Sequence, residues 1–255
     1  MHQFATIEVG GFRIEIAAFL SIIVTFVIVF LLARLAIRNL SIENPSKLQN
    51  FMEWVVEFVH STVASAMSLK RARHFIALGI TLIMFIFVAN LLGLPFGVTT
   101  YHNEEFTLFG KEILSTQDIQ EHGGEAHLSW WKSPTADISV TAGLALIVFL
   151  IIHVLGIAMN KKDYFKHYFQ PYWFFLPLNI LETLVKPLTL AVRLYANIFA
   201  GELLLSVIMM LGVVGIPLLG IWQGFSIFVG AIQAFLFTIL TMVYIGQSTT
   251  PHEDH

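Results

Sequence analysis

Five long apolar segments dominate the sequence. A helix needs about 20 apolar residues to cross the ~30 Å hydrocarbon core of a bilayer. Three of the segments have the length of one crossing, and the last two are longer, as expected of a tilted hairpin turned at Gly215-Ile216-Pro217. We predict an all-α integral membrane protein, one polytopic domain over residues 1–255 with five transmembrane helices: 14–33, 74–94, 138–159, 173–214 and 216–246.

The composition excludes the main soluble classes. Hydrophobic residues make up 56% of the chain and charged residues 12%, against roughly 25% charged in typical soluble domains. The sequence has no Cys, which excludes a disulfide scaffold, a thiolate metal site and a Cys nucleophile. A net charge of −3 provides no basic surface for nucleic acid. We expect a lipid bilayer around the chain, no nucleic-acid partner and no cofactor.

Lys and Arg predict the orientation. The connections 34–73 and 160–172 together hold nine of them, whereas the opposite side holds only Arg13, Lys111 and Lys132. Because basic connections stay in the cytoplasm, the N-terminus is expected outside and the C-terminus inside. The first segment is expected to be a membrane helix and not a cleaved signal peptide, because residues 1–13 carry Glu8 and a single basic residue.

Two connections are long. Residues 44–67 favour an interfacial amphipathic helix, with Asn44 as the N-cap and Pro45 as its first residue. Residues 95–137 form an acidic external loop with three His: His102, His122 and His127. A metal site is conceivable there, but the spacing fits no familiar pattern, so a solvated loop is favoured.

The fourth apolar segment carries four charged residues: Glu182, Lys186, Arg193 and Glu202. A charge at the bilayer centre costs about 2.5–3.5 kcal/mol on insertion scales. Side chains retained at that cost indicate a functional site by default.

Helical geometry sorts these charges. At 100° per residue, Glu182, Lys186, Arg193 and Asn197 form one polar stripe, and Glu202 points to the opposite face. Glu182 and Lys186 are an i,i+4 pair in the favourable order. A structural pair of mutually neutralising charges is the competing interpretation.

Arg193 lacks an acidic partner in its own sequence. No Asp or Glu lies inside 74–94, 138–159 or 216–246. The guanidinium cannot discharge itself, because an arginine side chain stays charged in proteins. We infer that its partner comes from another chain, a ligand or water in a cavity. Alternatively, backbone carbonyls and Asn197 satisfy it locally.

Other polar residues lie within the apolar segments. Singly, each is typical of a hydrogen bond between helices. Together with Glu182 and Glu202 they are able to line two wet passages, one on each side of Arg193: Asn90, His153, Asn179, Gln223, Ser226, Gln233 and Tyr244.

Two stretches carry a specific resemblance. Residues 182–202 read ETLVKPLTLAVRLYANIFAGE, and residues 233–244 read QAFLFTILTMVY. In combination they resemble the subunit a family of bacterial rotary (F-type) ATP synthases, the stator proton channel beside a ring of c subunits. The resemblance covers all five apolar segments.

The resemblance implies a function and a set of partners. The chain would be a non-catalytic, proton-translocating subunit of an ATP-synthesising complex in the bacterial cell membrane. Its partners would be the ring of c subunits, the peripheral-stalk b subunits and the remaining ATP synthase subunits. Arg193 matches the essential arginine that faces the ring carboxylate and separates two half-channels.

The predicted routes combine the resemblance with the polar stripe. To the outer route we assign Glu202, Gln233, Asn90, Asn197 and Ser226. To the inner route we assign Glu182, Lys186 and Asn179, where the role of Glu182 rests on its place in the stripe. Two positions depart from relatives: Ser226 stands where some have a histidine, and Gly93 where some have an aspartate.

Two other classes stay open from the residues alone. An ion-coupled secondary transporter usually shows an internal repeat, and none is visible. A membrane metalloenzyme is suggested by ten His, but only His153 lies well inside a segment and no HExxH-type spacing occurs.

Overall fold

The computed structural model describes residues 3–4, 6–9, 12–67, 69–93, 99–102, 105–108, 111–114, 126–169 and 172–249. Within these residues it contains six α-helices: α1 (Ile16–Ala36), α2 (Lys47–Ala66), α3 (Leu69–Leu92), α4 (Ile138–Tyr168), α5 (Leu176–Met210) and α6 (Gly215–Thr249). In the described part of the chain, five helical segments, one for each of these helices except α2, are long and apolar enough to cross a membrane. This confirms the all-α integral membrane fold.

The helices differ in how much of them the bundle buries. In the most apolar 18-residue stretch of each helix, 44% of α3 and 39% of α6 is buried inside the protein, but only 11% of α5. The core consists of side chains from α2 to α6, among them Ile86, Val148, Leu194 and Phe237. The helix α3 therefore lies centrally with α6, and α5 lies at the surface.

The amphipathic helix α2 begins later than predicted. Its N-cap is Ser46, whose hydroxyl accepts a hydrogen bond from the Gln49 amide at 3.1 Å, so the assignment of Asn44 is wrong. Pro45 precedes the cap, outside the helix. The buried face, with Val55 and Val59, packs into the core formed with α3 and α6. An interfacial position for α2 stays a prediction.

The turn between α5 and α6 also lies earlier than predicted. A single 3-10 turn, Gly212–Val214, joins the two helices, and Gly212 has a φ of 59°. Glycine adopts this left-handed conformation without steric cost. The prediction of a turn at residues 215–217 is wrong, because these residues belong to the first turn of α6. Pro217 is tolerated there, since backbone N–H groups in the first turn of a helix have no hydrogen-bond partner within the helix.

Short strands, which the sequence analysis did not predict, accompany the helices. The described residues contain seven: β1 (Gln3–Phe4), β2 (Thr6–Val9), β3 (Phe12–Glu15), β4 (Thr99–His102), β5 (Phe106–Leu108), β6 (Lys111–Leu114) and β7 (Ala126–Ser129). β7 pairs with β1 in parallel and with β4 antiparallel, and β2–β3 and β5–β6 are two-stranded. They lie at the end of the bundle where α1 and α4 begin, here called the loop end.

The final part of the loop before α4 is not solvated as expected. Leu128, Ser133 and Thr135 are each at most 1% exposed. The Trp131 indole N–H donates to the Leu92 carbonyl at 2.8 Å, and the Ser133 hydroxyl donates to the Ala89 carbonyl at 3.0 Å. These donors satisfy the last carbonyls of α3, which lack partners within the helix.

The suggested metal site falls largely outside the described residues. Residues 121–125, with His122, are among those left undescribed. Within the described residues, no group of three metal-ligating side chains is present. His102 Nε2 is hydrogen-bonded to the Thr100 hydroxyl at 2.8 Å.

Candidate functional site

Arg193 lies near the middle of α5, on the surface of the bundle. Leu190, Ala191 and Leu194 form the buried side of this helix, and Arg193 is exposed on the other side. Within the described part of the chain, its guanidinium forms no hydrogen bond or ion pair, so satisfaction by carbonyls or Asn197 finds no support there. The chain therefore presents a permanent positive charge outward at mid-helix.

Glu182 and Lys186 form the ion pair that their spacing predicted. Lys186 Nζ lies 2.9 Å from Glu182 Oε1, and 5.5 Å from the ring centroid of Tyr244 on α6. The two side chains are 31% and 62% exposed, Lys186 being the more buried. By helical rise, Lys186 is ~10 Å and Glu182 ~16 Å from Arg193 along the axis.

Glu202 lies on the other side of Arg193, towards the loop end. Its side chain is partly buried, and the charges of Lys132 and Glu15 act on its carboxylate. Next to it, the Trp222 indole of α6 donates to the Gly201 carbonyl at 3.3 Å. Glu202 is thus the point where α5 meets the charged groups of the loop end.

Those charged groups form a compact cluster. Lys132 Nζ lies 3.1 Å from Glu15 Oε2 and 3.3 Å from Asp137 Oδ2. Burial raises the pKa of Glu15, and Lys132 opposes that rise only in part. Burial also acts to raise the pKa of Asp137, but the Lys132 ammonium and a hydrogen bond from the Ser139 amide lower it below its usual value.

Sequence reasoning missed this cluster. In the sequence, Glu15 and Asp137 simply lie at the ends of predicted spans, and Lys132 is one of the basic residues on the outer side. The available signal was that all three flank the starts of two spans on the same side of the membrane. Residues 15 and 137 are too far apart in sequence for spacing alone to join them.

Asn90 and Ser226, both predicted for the outer route, come together. The Asn90 amide donates to the Gly230 carbonyl at 3.1 Å and accepts from the Thr135 hydroxyl at 2.8 Å. Ser226 lines a small pocket with Asn90 and Gly230. Asn90 therefore ties α3 both to α6 and to the segment that follows Lys132.

Gly93 has no room for a larger side chain. A Cβ at this position would lie 2.5 Å from the Ser133 Cβ, closer than real contacts allow. The buried Ser133 occupies the space that a larger residue would need. An aspartate, as in some relatives, does not fit here without a shift of the loop.

The other predicted polar residues lie along α5 and α6. Gln233 is buried, 5% exposed, and by its spacing shares a face of α6 with Ser226, seven residues earlier. Asn197 is partly buried one turn after Arg193. Asn179 lies one turn before Thr183, the residue that follows Glu182. The Thr183 hydroxyl donates to the Asn179 backbone carbonyl at 2.8 Å.

Fold and charges together define a polytopic membrane protein with ionisable groups along one surface helix. The family model described as ATP synthase A chain matches residues 18–246. The chain belongs to this family.

Curated relatives agree over the full length. The chain is 43% identical over 271 residues to "ATP synthase subunit a" of Bacillus subtilis (strain 168), covering 100% of this chain and 99% of the relative. It is 44% identical over 263 residues to the protein of that name from Priestia megaterium (strain ATCC 12872 / QMB1551), with coverage of 100% and 99%. The protein of that name from Listeria monocytogenes serotype 4b (strain CLIP80459) is 43% identical over 258 residues, with coverage of 97% and 98%. The resemblance is confirmed, and with it the association with ATP synthesis and proton transport.

Proposed function

We propose that this chain is the stator proton channel of a bacterial F-type ATP synthase. Two offset half-channels pass protons to and from a carboxylate on a rotating ring of c subunits, and Arg193 separates them. The chain itself does not make ATP, which forms in other subunits of the complex. In the cell membrane its partners include the peripheral-stalk b subunits, and its N-terminus lies outside and its C-terminus in the cytoplasm.

The observation that carries this proposal is the exposed position of Arg193. Its charge is permanent, and leaving it against lipid would be costly. The described residues of its own chain give it no acidic partner. A carboxylate brought by another subunit to this surface of α5 satisfies both facts.

Arg193 then controls the protonation of that carboxylate. A nearby positive charge favours the ionised form of an acid, so a ring carboxylate loses its proton as it approaches Arg193. Once it moves past, it takes up a proton, becomes neutral and is able to enter lipid. Arg193 cannot itself relay a proton, because an arginine side chain stays charged in proteins. Protons therefore cross only when the ring turns.

The two routes lie on opposite sides of Arg193. Glu202 delivers protons from the outer route, which Asn90, Asn197, Ser226 and Gln233 line. Glu182, with Lys186 and Asn179, receives them on the inner side. The antiparallel course of α4 and α5 supports this division, because it puts Glu202 towards the loop end and Glu182 away from it.

Replacement of Arg193 tests the proposal. We expect Arg193→Lys to abolish ATP-driven proton pumping, measured by pH-dye quenching in membrane vesicles, because a desolvated ammonium can lose its proton and lacks the planar fork. We expect Arg193→Ala also to make idle vesicles passively permeable to protons. Arg34→Lys, at an exposed position in the last turn of α1, is the matched control and should pump normally. Near-normal pumping by Arg193→Lys at normal complex abundance would contradict the proposal.

A further inference from the structure

The charge cluster at the loop end has no role in the mechanism above. Glu15 ends β3 immediately before α1, Asp137 immediately precedes α4, and Lys132 lies between β7 and the 3-10 turn Pro134–Ala136. Their side chains are only 13–18% exposed. Three separate segments of the chain thus bring two carboxyl groups to one ammonium at the end of the bundle.

The chain around Lys132 is held in place by neighbouring contacts. Ser133 is fully buried and donates to the Ala89 carbonyl at 3.0 Å. The Thr135 hydroxyl donates to Asn90 at 2.8 Å, and the Ser139 amide donates to Asp137 Oδ1 at 2.8 Å. Because the backbone on both sides is fixed, the position of the ammonium is set by the fold. Exposed ion pairs, in contrast, seldom hold one geometry.

The cluster faces Glu202. Lys132 and Glu15 both act electrostatically on the Glu202 carboxylate. Lys132 pairs with Glu15 before α1 and with Asp137 before α4, and its charge also acts on Glu202 of α5. The ammonium therefore links the two loop-end acids electrostatically to the carboxylate of Glu202.

We propose that Lys132 sets the outside pH at which the outer route takes up protons, with Glu15 and Asp137 as the acidic pair at its mouth. This inference rests on the proposed function and assigns a positioning residue to its outer route. Lys132 contacts the two acids and does not itself carry the proton.

The chemistry of the pair supports this role. Burial raises the pKa of Glu15, whereas at Asp137 the Lys132 ammonium and the Ser139 amide outweigh burial and lower the pKa. Glu15 is therefore the acid of the pair that binds a proton more readily. The Lys132 ammonium lowers the pKa of both acids, so without it the pair would keep its proton to higher pH.

The test uses the complete ATP synthase in liposomes, with the loop end facing the lumen. A potassium diffusion potential drives ATP synthesis while the luminal pH is varied and the external pH is held constant. For Lys132→Met, the luminal pH at which synthesis falls to half its maximum should rise by about one unit, the shift expected when an adjacent opposite charge is lost. Lys132→Arg keeps the charge and should restore the wild-type profile. Lys47→Met, at the exposed start of α2, is the matched control and should leave it unchanged.

Two results would overturn the inference. One is a Lys132→Met enzyme that is slower by the same factor at every luminal pH. The other is loss of assembled complex in both Lys132→Met and Lys132→Gln, which would make Lys132 a structural cation. If either occurs while Arg193→Lys is inactive in the same liposomes, only the role of Lys132 fails. Coupled synthesis by Arg193→Lys would instead refute the proposed function.

Discussion

The two halves of α5 hold their charges in different ways. Towards the loop end, Glu202 is partly buried and faces Lys132 and Glu15, which come from other segments of the chain. In the other half, Glu182 is 62% exposed and pairs with Lys186, one turn along the same helix. The first arrangement is built by tertiary structure, the second by helical spacing with support from Tyr244.

This difference has a physical consequence for assembly. Half-buried charges persist only when partners and hydrogen bonds offset their desolvation, so the loop-end groups are positioned before any partner binds. An exposed pair contributes little and is easily rearranged. We therefore expect the outer route to be largely complete within this chain, whereas the inner route is completed by the subunit that covers α5.

Apart from replacement of Arg193 itself, the largest effect should come from Glu202→Gln. Amide replacement keeps the size of the side chain but removes its ability to exchange a proton. We expect ATP-driven pumping to slow by about 100-fold, the low end of what a positioned acid or base contributes, with normal complex abundance. Glu57→Gln, at an exposed position on α2, is the control. Unchanged pumping by Glu202→Gln would make Glu202 a structural carboxylate.

Gly93→Ala tests whether the loop end is rigidly built. The new methyl group would lie 2.5 Å from the Ser133 Cβ, and such overpacking typically costs about 1–3 kcal/mol. We expect a lower thermal unfolding midpoint of the purified complex in detergent. Gly143→Ala, where a Cβ meets nothing within 4 Å, should cause no loss. Equal stability of the two variants would show that the loop end adapts freely.

A smaller effect is expected for Glu182→Gln. Because Glu182 is 62% exposed, water can take over its part in the inner route. What the substitution then removes is an exposed pair worth at most ~1 kcal/mol, equivalent to about fivefold in a rate. Pumping should slow by no more than this factor, and complex abundance should not change. A loss as large as that of Glu202→Gln would remove the contrast between the two halves of α5.

The smallest effect concerns pH and stability at the loop end. The pKa of Asp137 is lowered in the folded state, so its ionised form stabilises the fold above pH 3.8 and this contribution is lost as the pH falls through the lowered value. The pKa of Glu15 is raised, so its ionisation opposes folding at neutral pH.

At pH 7, Asp137→Asn should destabilise the complex by under about 1 kcal/mol, and Glu15→Gln should not. Thermal unfolding of both variants measures the difference, and the reverse order would contradict the assignment.

Much of this molecule follows from local sequence. Segment length predicted the membrane helices, because a bilayer imposes a minimum apolar run. The i,i+4 spacing predicted the contact between Glu182 and Lys186, because that contact depends on the geometry of one helix. The exposed position of Arg193 agrees with the lack of an acidic partner in its own sequence.

The errors have equally physical causes. The start of α2 and the turn between α5 and α6 lie a few residues from the predicted positions, at Ser46 and Gly212. Ser caps a helix as well as Asn does, and Gly adopts a positive φ without cost. The cluster of Glu15, Lys132 and Asp137 depends on how distant segments pack, which no periodicity within a helix encodes. The same holds for the short strands, whose pairing joins residues far apart in sequence.

The central claim is that another subunit's carboxylate covers the Arg193 surface of α5. Because the chain has no Cys, single cysteines report this directly. Ala196 is exposed one turn after Arg193, whereas Ala191 is 4% exposed on the buried side. In the assembled enzyme, Ala196→Cys should form a disulfide with a cysteine placed one turn from the ring carboxylate, and Ala191→Cys should form none. A disulfide from position 191, or none from position 196 while the complex is intact, would contradict the account.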